Sequence, residues 1–483
     1  MTAKAIMVLG TTSGAGKSWL TTALCRYYAR QGLKVTPFKA QNMSNNARVV
    51  DGGEIGSAQY FQSLAANAVP EVRMNPLLLK PERDTHSQVV LMGQVNDELT
   101  QAPWRDRSER VWPTIQQALH ELMAQNDVVV IEGAGSPAEI NLKASDIVNM
   151  RVAVAANATC LLITDIDRGG AFAHLYGTFA LLPPEEQALI KGFILNKFRG
   201  DARLLSPGPE MLQGMTGVPV VATLPMWWQH GLPEEDGVFD DRSVASGAVT
   251  TTIAVVAYPR ISNLDEFQAL KNVPGVRLKW VRSPSEIIDA DWVILPGSKH
   301  TSGDLAWLRS QGLDAAIAKH ANQGKAVLGI CGGLQMLGEA LIDMHQIDGN
   351  GPGLGLLPLV TSFEIAKTVQ HRHTQFGKLM GLWSKLSDVN VAGYEIHHGQ
   401  TAQHPAMAMT GDVAVAVLPD ALGWQNPAGN VLGLYLHGMF EDPAVLQALF
   451  GATTPTLNSV FDGLADYIEQ HFEKNFLQSL MHN

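Results

Sequence analysis

Ala5-Ile6-Met7-Val8-Leu9-Gly10-Thr11-Thr12-Ser13-Gly14-Ala15-Gly16-Lys17-Ser18 runs from an apolar stretch through a glycine loop into a helical pattern that continues from Trp19 to Arg30. The order strand, loop, helix predicts a phosphate-binding loop, because unpaired backbone N–H groups and the helix N-terminus both favour an anion. Gly14 and Gly16 allow the tight backbone path, Lys17 supplies a point charge to the β- and γ-phosphates, and the Ser18 hydroxyl is the expected Mg²⁺ ligand. ATP and Mg²⁺ are therefore the ligands expected of this loop.

Strict Walker spacing would put glycine where this chain has Thr11, and Gly10 stands seven residues before Lys17 instead. In this the loop resembles the dethiobiotin synthetase branch of P-loop proteins. Further apolar runs at Val35–Phe38, Val128–Ile131, Cys160–Thr164, Gly192–Leu195 and Val220–Leu224 alternate with helical patterns, which predicts a mostly parallel sheet covered by helices. Glu132 closes one of these runs and opens Glu-Gly-Ala-Gly. That puts a carboxylate at the carboxyl end of a strand, where open α/β sheets bind ligands, and makes Glu132 a second expected Mg²⁺ ligand. Glu54, in Asp51-Gly-Gly-Glu-Ile-Gly, is a further metal candidate ahead of a helical pattern.

Between Met226 and Thr250 the alternation lapses, and a second strand-helix series starts at Thr252–Ala257 and continues through Trp292–Leu295, Ala326–Ile330 and Val431–Leu436. The expected division is a P-loop domain over 1–226, a linker over 227–250, and a second α/β domain over 251–483 ending in a helix from about Ser459 to Leu480. With 483 residues, 46% of them hydrophobic, each domain can bury a core.

A net charge of −11 argues against nonspecific nucleic-acid binding, which draws on clustered Lys and Arg. The three cysteines, Cys25, Cys160 and Cys331, lie far apart without metal-type spacing. Residues 1–9 run straight into the glycine loop without room for a signal peptide, and no later apolar run is long enough to span a bilayer. A cytoplasmic setting without membrane association is the expectation.

In the second half, the run Ala326–Ile330 leads into Cys331-Gly-Gly-Leu-Gln335-Met-Leu-Gly, a sharp strand-to-helix turn of the nucleophile-elbow type with sulfur as the nucleophile. Its glycines permit the turn, and the helix N-terminus favours thiolate and offers N–H donors to an oxyanion. His437, after Val431–Leu436, is the leading acid-base partner, with His397 and His398 as rivals read as site-lining or structural. Leu295-Pro-Gly297-Ser298 is a candidate second oxyanion element.

Six segments taken together resemble the adenosylcobyric acid synthase family of cobyrinate-type, class I-like glutamine amidotransferases. They are Gly10 to Ser18, Pro37-Phe-Lys-Ala-Gln-Asn-Met-Ser-Asn45, Ile131-Glu-Gly-Ala-Gly135, Asp165-Ile-Asp-Arg-Gly-Gly170, Gly329-Ile-Cys-Gly-Gly333 and Tyr435-Leu-His-Gly438. The resemblance implies ATP- and glutamine-dependent amidation of the b, d, e and g carboxylates of adenosylcobyrinic acid a,c-diamide, a corrinoid. It also implies that Lys39 faces the acceptor carboxylate or γ-phosphate and that Asp165, Asp167 and Arg168 lie at a strand end beside it. Asn196 would stand at the adenine contact and Gln335 in the glutamine pocket.

Triad amidotransferases place glutamate two residues after the histidine, where this chain has Met439, so another group must orient the imidazole; Glu441 is the acidic residue nearby. Alternatives are a cobyrinic acid a,c-diamide synthase, a catalytically inert second half, and a partitioning-type switch ATPase. The last carries an early loop lysine where this chain has Thr11 and Thr12.

Overall fold

The structure is a computed structural model that describes residues 3–481 apart from 84, 229, 234–247, 453 and 454. Most of the expected linker, 227–250, lies outside the described residues.

The first half is built on a six-stranded sheet in the order Val220–Pro225, Ile190–Phe198, Thr159–Asp165, Lys4–Gly10, Val128–Glu132, Val35–Phe38. Every neighbouring pair in it is parallel. Helices cover both faces, so the central strands are apolar throughout instead of alternating: Val128, Val129, Val130 and Ile131 are all fully buried. The strand Lys4–Gly10 is central, and the loop that follows it opens at the carboxyl edge of the sheet into the helix Lys17–Arg30.

The second half repeats this logic. Its seven-stranded sheet has the order Val276–Val281, Thr251–Val256, Trp292–Leu295, Ala326–Ile330, Val431–Leu434, Gly423–Gln425, Val415–Leu418. The first five strands run parallel and the last two form an antiparallel edge. Besides the expected strands there is a long antiparallel ladder, Leu359–Gln375 with Asn390–Gln403, interrupted between Phe363 and Thr368. It carries Lys367 to an ion pair with Glu54 of the first half.

The terminal helix departs from the expected grouping with the second domain. Leu457–His471 packs on the first half, where Val460, Phe461, Leu464, Ala465 and Ile468 join the core built by Ile6, Leu20, Leu24 and Tyr28. Arg26 pairs with Asp462 at 2.8 Å, Arg30 with Asp466 at 2.6 Å, and the Tyr28 hydroxyl donates to the Leu477 carbonyl at 2.8 Å. Chain order misled here because an amphipathic helix settles on whichever apolar face remains uncovered, irrespective of sequence distance. The helix also stops at His471; the chain extends through Phe472 and forms a separate turn of helix at Phe476–Ser479.

Leu464 is fully buried between the terminal helix and the helix after the phosphate loop. Leu464→Ala should destabilise the first half by about 2–5 kcal/mol. Denaturant unfolding followed with and without nucleotide measures this; an unchanged midpoint in the nucleotide-protected transition would contradict the packing.

Two candidate reaction centres

The phosphate loop closes on its own strand end. Gly14 and Gly16 take φ values of 71° and 104°, which a side chain would strain. Lys17 Nζ donates to the Thr12 and Gly135 carbonyls at 3.1 and 3.3 Å. Ser18 Oγ donates to Glu132 Oε1 at 2.8 Å, and the same oxygen takes Lys39 Nζ at 2.8 Å, while Gln62 Nε2 reaches Oε2 at 2.6 Å. Burial opposes ionisation of Glu132, but the Lys39 ammonium and the hydrogen bonds from Gln62 and Ser18 outweigh it and hold its pKa below the ordinary value. Ser18 and Glu132 thus offer two hard oxygen donors side by side, which suits Mg²⁺ with phosphate and water completing its shell.

Asn196 Nδ2 donates to the Ala15 carbonyl at 2.9 Å, bracing the loop from beneath. The neighbouring Lys197 Nζ reaches the Gly14 carbonyl at 2.9 Å and Asp165 at 3.1 Å. Asp165 also pairs with Arg168 at 3.4 Å, and Asp167 pairs with Arg199. Asp165 therefore stands at the strand end, linked to the loop through Lys197, with Asp167 two residues on.

Glu54 does not join this group. Its oxygens are taken by Lys80 at 2.7 Å and Lys367 at 2.5 Å. Burial works against its charge, yet the two ammonium groups hold it well below the usual carboxylate range. In this structure Glu54 therefore forms an ion-pair bridge between the halves, apart from the Ser18–Glu132 contact, although the sequence had made it a metal candidate.

In the second half, Cys331 sits at the elbow with φ 51° and ψ −106°, a strained conformation for a residue with a side chain, and its N–H donates to the Leu434 carbonyl at 2.7 Å. The turn is tight enough that a Cβ on Gly332 would lie 2.8 Å from the Ser298 nitrogen, and one on Gly297 would lie 2.8 Å from His437 Cε1. Glycine at these positions lets the Gly297–Ser298 strand, the elbow and the imidazole converge.

His437 is near enough to Cys331 for the two to interact electrostatically, while the Cys331 thiol donates to the Ile396 carbonyl at 3.7 Å. On its other side, Nδ1 meets Glu266 Oε1 at 3.0 Å, and Glu266 Oε2 accepts the Gly438 N–H at 2.9 Å. Both side chains are buried. Burial disfavours the imidazolium, but the charges of Glu266 and Cys331 more than offset it, and the His437 pKa is raised to about 10.

Gln335 accepts from Thr301 at 2.9 Å, donates to the Tyr435 hydroxyl at 3.3 Å, and lines a cavity of about 80 Å³ with Cys331, Ser298, Lys299, Lys367 and His398. A cleft of about 970 Å³ between the halves shares Glu82, Gln88, Ile347, Lys367 and His398 with that cavity. Of the rival histidines, His397 is held by Glu395 at 2.9 Å and stacks on Tyr435 at 3.9 Å, and both it and His398 line the cavity.

Comparison with known proteins matches two family models to successive parts of the chain. Residues 6–233 match the CobQ/CobB/MinD/ParA nucleotide binding domain, and residues 252–445 match the CobB/CobQ-like glutamine amidotransferase domain. The cobyric acid synthase of Polaromonas naphthalenivorans (strain CJ2) is 78% identical over 484 residues, covering all of both chains. That of Variovorax paradoxus (strain S110) is 75% identical over the whole of both, and that of Polaromonas sp. (strain JS666 / ATCC BAA-500) is 73% identical over 99% of this chain and 98% of its own. The chain belongs to the cobyric acid synthase family.

Within this family assignment the chain is a ligase that joins a nucleotide-binding P-loop domain to a glutamine amidotransferase domain. No helix among the described residues is long and apolar enough to cross a membrane.

Glu266 and Gln62 were not singled out in the sequence. Glu266 lies 171 residues before His437 and carries no local motif, so only the fold makes it an orienting group. Glu441, the acidic neighbour in sequence, points instead at Arg48, at 2.6 and 2.8 Å. Glu266→Gln should lower glutamine hydrolysis and bring the alkaline limb of its pH profile down from near 10 towards the ordinary histidine value of about 6.5. The sign follows from removing a negative neighbour that stabilises the imidazolium. A limb that stays in place would show that Glu266 does not govern His437.

Proposed function

We propose that this chain converts adenosylcobyrinic acid a,c-diamide to adenosylcobyric acid by amidating its b, d, e and g carboxylates, each with its own ATP and glutamine. The observation that carries the reading is the pairing, on one chain, of the Cys331–His437–Glu266 line with a phosphate loop whose Ser18 and Glu132 are already in contact. The relatives named above as cobyric acid synthases support the choice of product.

A carboxylate resists attack by ammonia, so the acceptor oxygen first takes the γ-phosphoryl group and ADP leaves. Lys17 and Lys39 would neutralise charge on the transferred group, and Asp165, Asp167 and Arg168 would border the acceptor. Ser18 and Glu132 would hold Mg²⁺, which when bound neutralises the β,γ-phosphate charge. Asn196 has its side chain engaged with the loop backbone, so an adenine contact there would add to a bracing role.

In the second half, the Cys331 sulfur attacks the side-chain amide carbon of glutamine. The imidazolium of His437 gives its proton to the departing nitrogen, and ammonia and a thioester result. His437, now neutral, takes a proton from water, whose oxygen displaces the sulfur and releases glutamate. Ammonia attacks the acyl phosphate, and inorganic phosphate leaves with formation of the amide. Glutamine would enter through the cleft that opens onto the Cys331 cavity, with Gln335 among its contacts. The chemistry fits a cytoplasmic enzyme supplied with ATP and glutamine.

Cys331→Ala should abolish glutamine-dependent amidation and leave amidation driven by high ammonia, measured as corrinoid product by chromatography. Loss of both would sink the division of labour between the halves. Lys17→Ala should remove product formation with either nitrogen source; persistent ammonia-driven synthesis would overturn the assignment of the loop.

A further inference from the structure

We infer that Arg48, contributed by the phosphate-loop half, is a positioning residue for glutamine hydrolysis in the other half: it clamps the segment that carries Glu266 and the aromatic ring that stacks on His437. This rests on the glutaminase reading of Cys331 given above.

Arg48 lies on the short strand Ala47–Val50 and is 2% exposed. Its guanidinium forms an ion pair with Asp265, the residue next to Glu266, and a forked pair with Glu441 at 2.8 and 2.6 Å. The adjoining backbone is tied to the same segment from both sides. Ala47 N–H donates to Asn263 Oδ1 at 3.0 Å, and Leu264 N–H donates to Asn46 Oδ1 at 3.0 Å. The stretch Asn46–Arg48 thus fixes Asn263–Asp265, and Glu266 follows directly onto His437 Nδ1 and the Gly438 N–H.

A second path leads to the same imidazole. The Arg48 guanidinium lies 5.1 Å from the centroid of the Tyr394 ring, whose other neighbour is His437, stacked at 5.4 Å with planes 21° apart. Tyr394 and His437 also exchange backbone hydrogen bonds, at 3.2 and 2.9 Å. The His437 ring is therefore held at its edge by Glu266 and on its face by Tyr394, and Arg48 touches the support of each.

Charge makes the residue hard to replace. The ionisable groups around the imidazole are Glu266 and Cys331, with Tyr394 on its face and Asp265, Glu441 and Arg48 behind. Without the guanidinium, the buried Asp265 and the half-buried Glu441 would be like charges close to Glu266, and relief comes by protonation or by movement of the segment. Lysine would restore the charge but not the planar fork that spans two carboxylates. Since Arg48 belongs to the other half, full hydrolytic competence depends on contacts that both halves supply.

The test uses the full chain with Arg48→Met and Arg48→Lys. It follows glutamine hydrolysis against glutamine concentration and pH, and ammonia-driven amidation as the readout of the first half. Arg48→Met should lower the glutaminase kcat by roughly tenfold or more, a part of what positioned acid-base catalysis contributes. The KM for glutamine and ammonia-driven amidation should stay at wild-type values, the alkaline limb should move down as Glu266 loses its hold on His437, opposite to the rise that loss of a positive charge alone would give, and Arg48→Lys should recover part of kcat. A wild-type kcat and pH profile in Arg48→Met overturns the proposal. If that variant loses both activities, Arg48→Lys decides: equal losses in both activities, or none in either, overturn it, and a selective fall in kcat upholds it. Cys331→Ala run in parallel keeps the two readings apart, since glutamine consumption persisting there would refute the glutaminase reading itself.

Discussion

Glu132 has almost no contact with solvent, yet it stays ionised because Lys39, Ser18 and Gln62 converge on its two oxygens. An isolated buried carboxylate costs several kcal/mol, so these partners and the carboxylate require one another. That mutual requirement fixes the end of the strand Val128–Glu132 against the helix that follows the phosphate loop and against the helix Ser57–Ala65 that brings Gln62. The packing around the phosphate loop is organised by this one carboxylate.

The same rule organises the boundary between the halves. Glu54 is bridged by a lysine from each side, Glu82 pairs with Lys299 at 2.8 Å, and Arg48 answers Asp265 and Glu441. Burial lowers the pKa of Lys367 to about 8 and opposes the attraction of Glu54, so this ammonium sits closer to neutrality than an ordinary lysine. His398, buried and facing Lys367 and Lys299, is pushed down to about 4 and stays neutral at physiological pH.

Much of the architecture was legible because parallel sheets covered on both faces leave continuous apolar runs, and because glycine loops mark where strands hand over to helices. The runs at Val35–Phe38, Trp292–Leu295 and Ala326–Ile330 coincide with strands residue for residue. Lys17, Ser18, Glu132, Cys331 and His437 stood out as candidates for a related reason: each follows such a run, directly or across a glycine loop, with glycines close by.

What the sequence alone determined was thus every element whose signal is local: the strand order along the chain, the elbow, the phosphate loop and the absence of a glutamate at Met439. Only the tertiary structure decided the rest. It placed the terminal helix on the first half, turned Glu54 from a metal candidate into a bridge, chose Glu266 over Glu441 for the imidazole, and set Arg48 behind both. The physical reason is common to all four. Pairing of buried charges and covering of apolar faces are satisfied by proximity in space, and separations of 171 residues between Glu266 and His437, or 393 between Arg48 and Glu441, leave no trace in any local window.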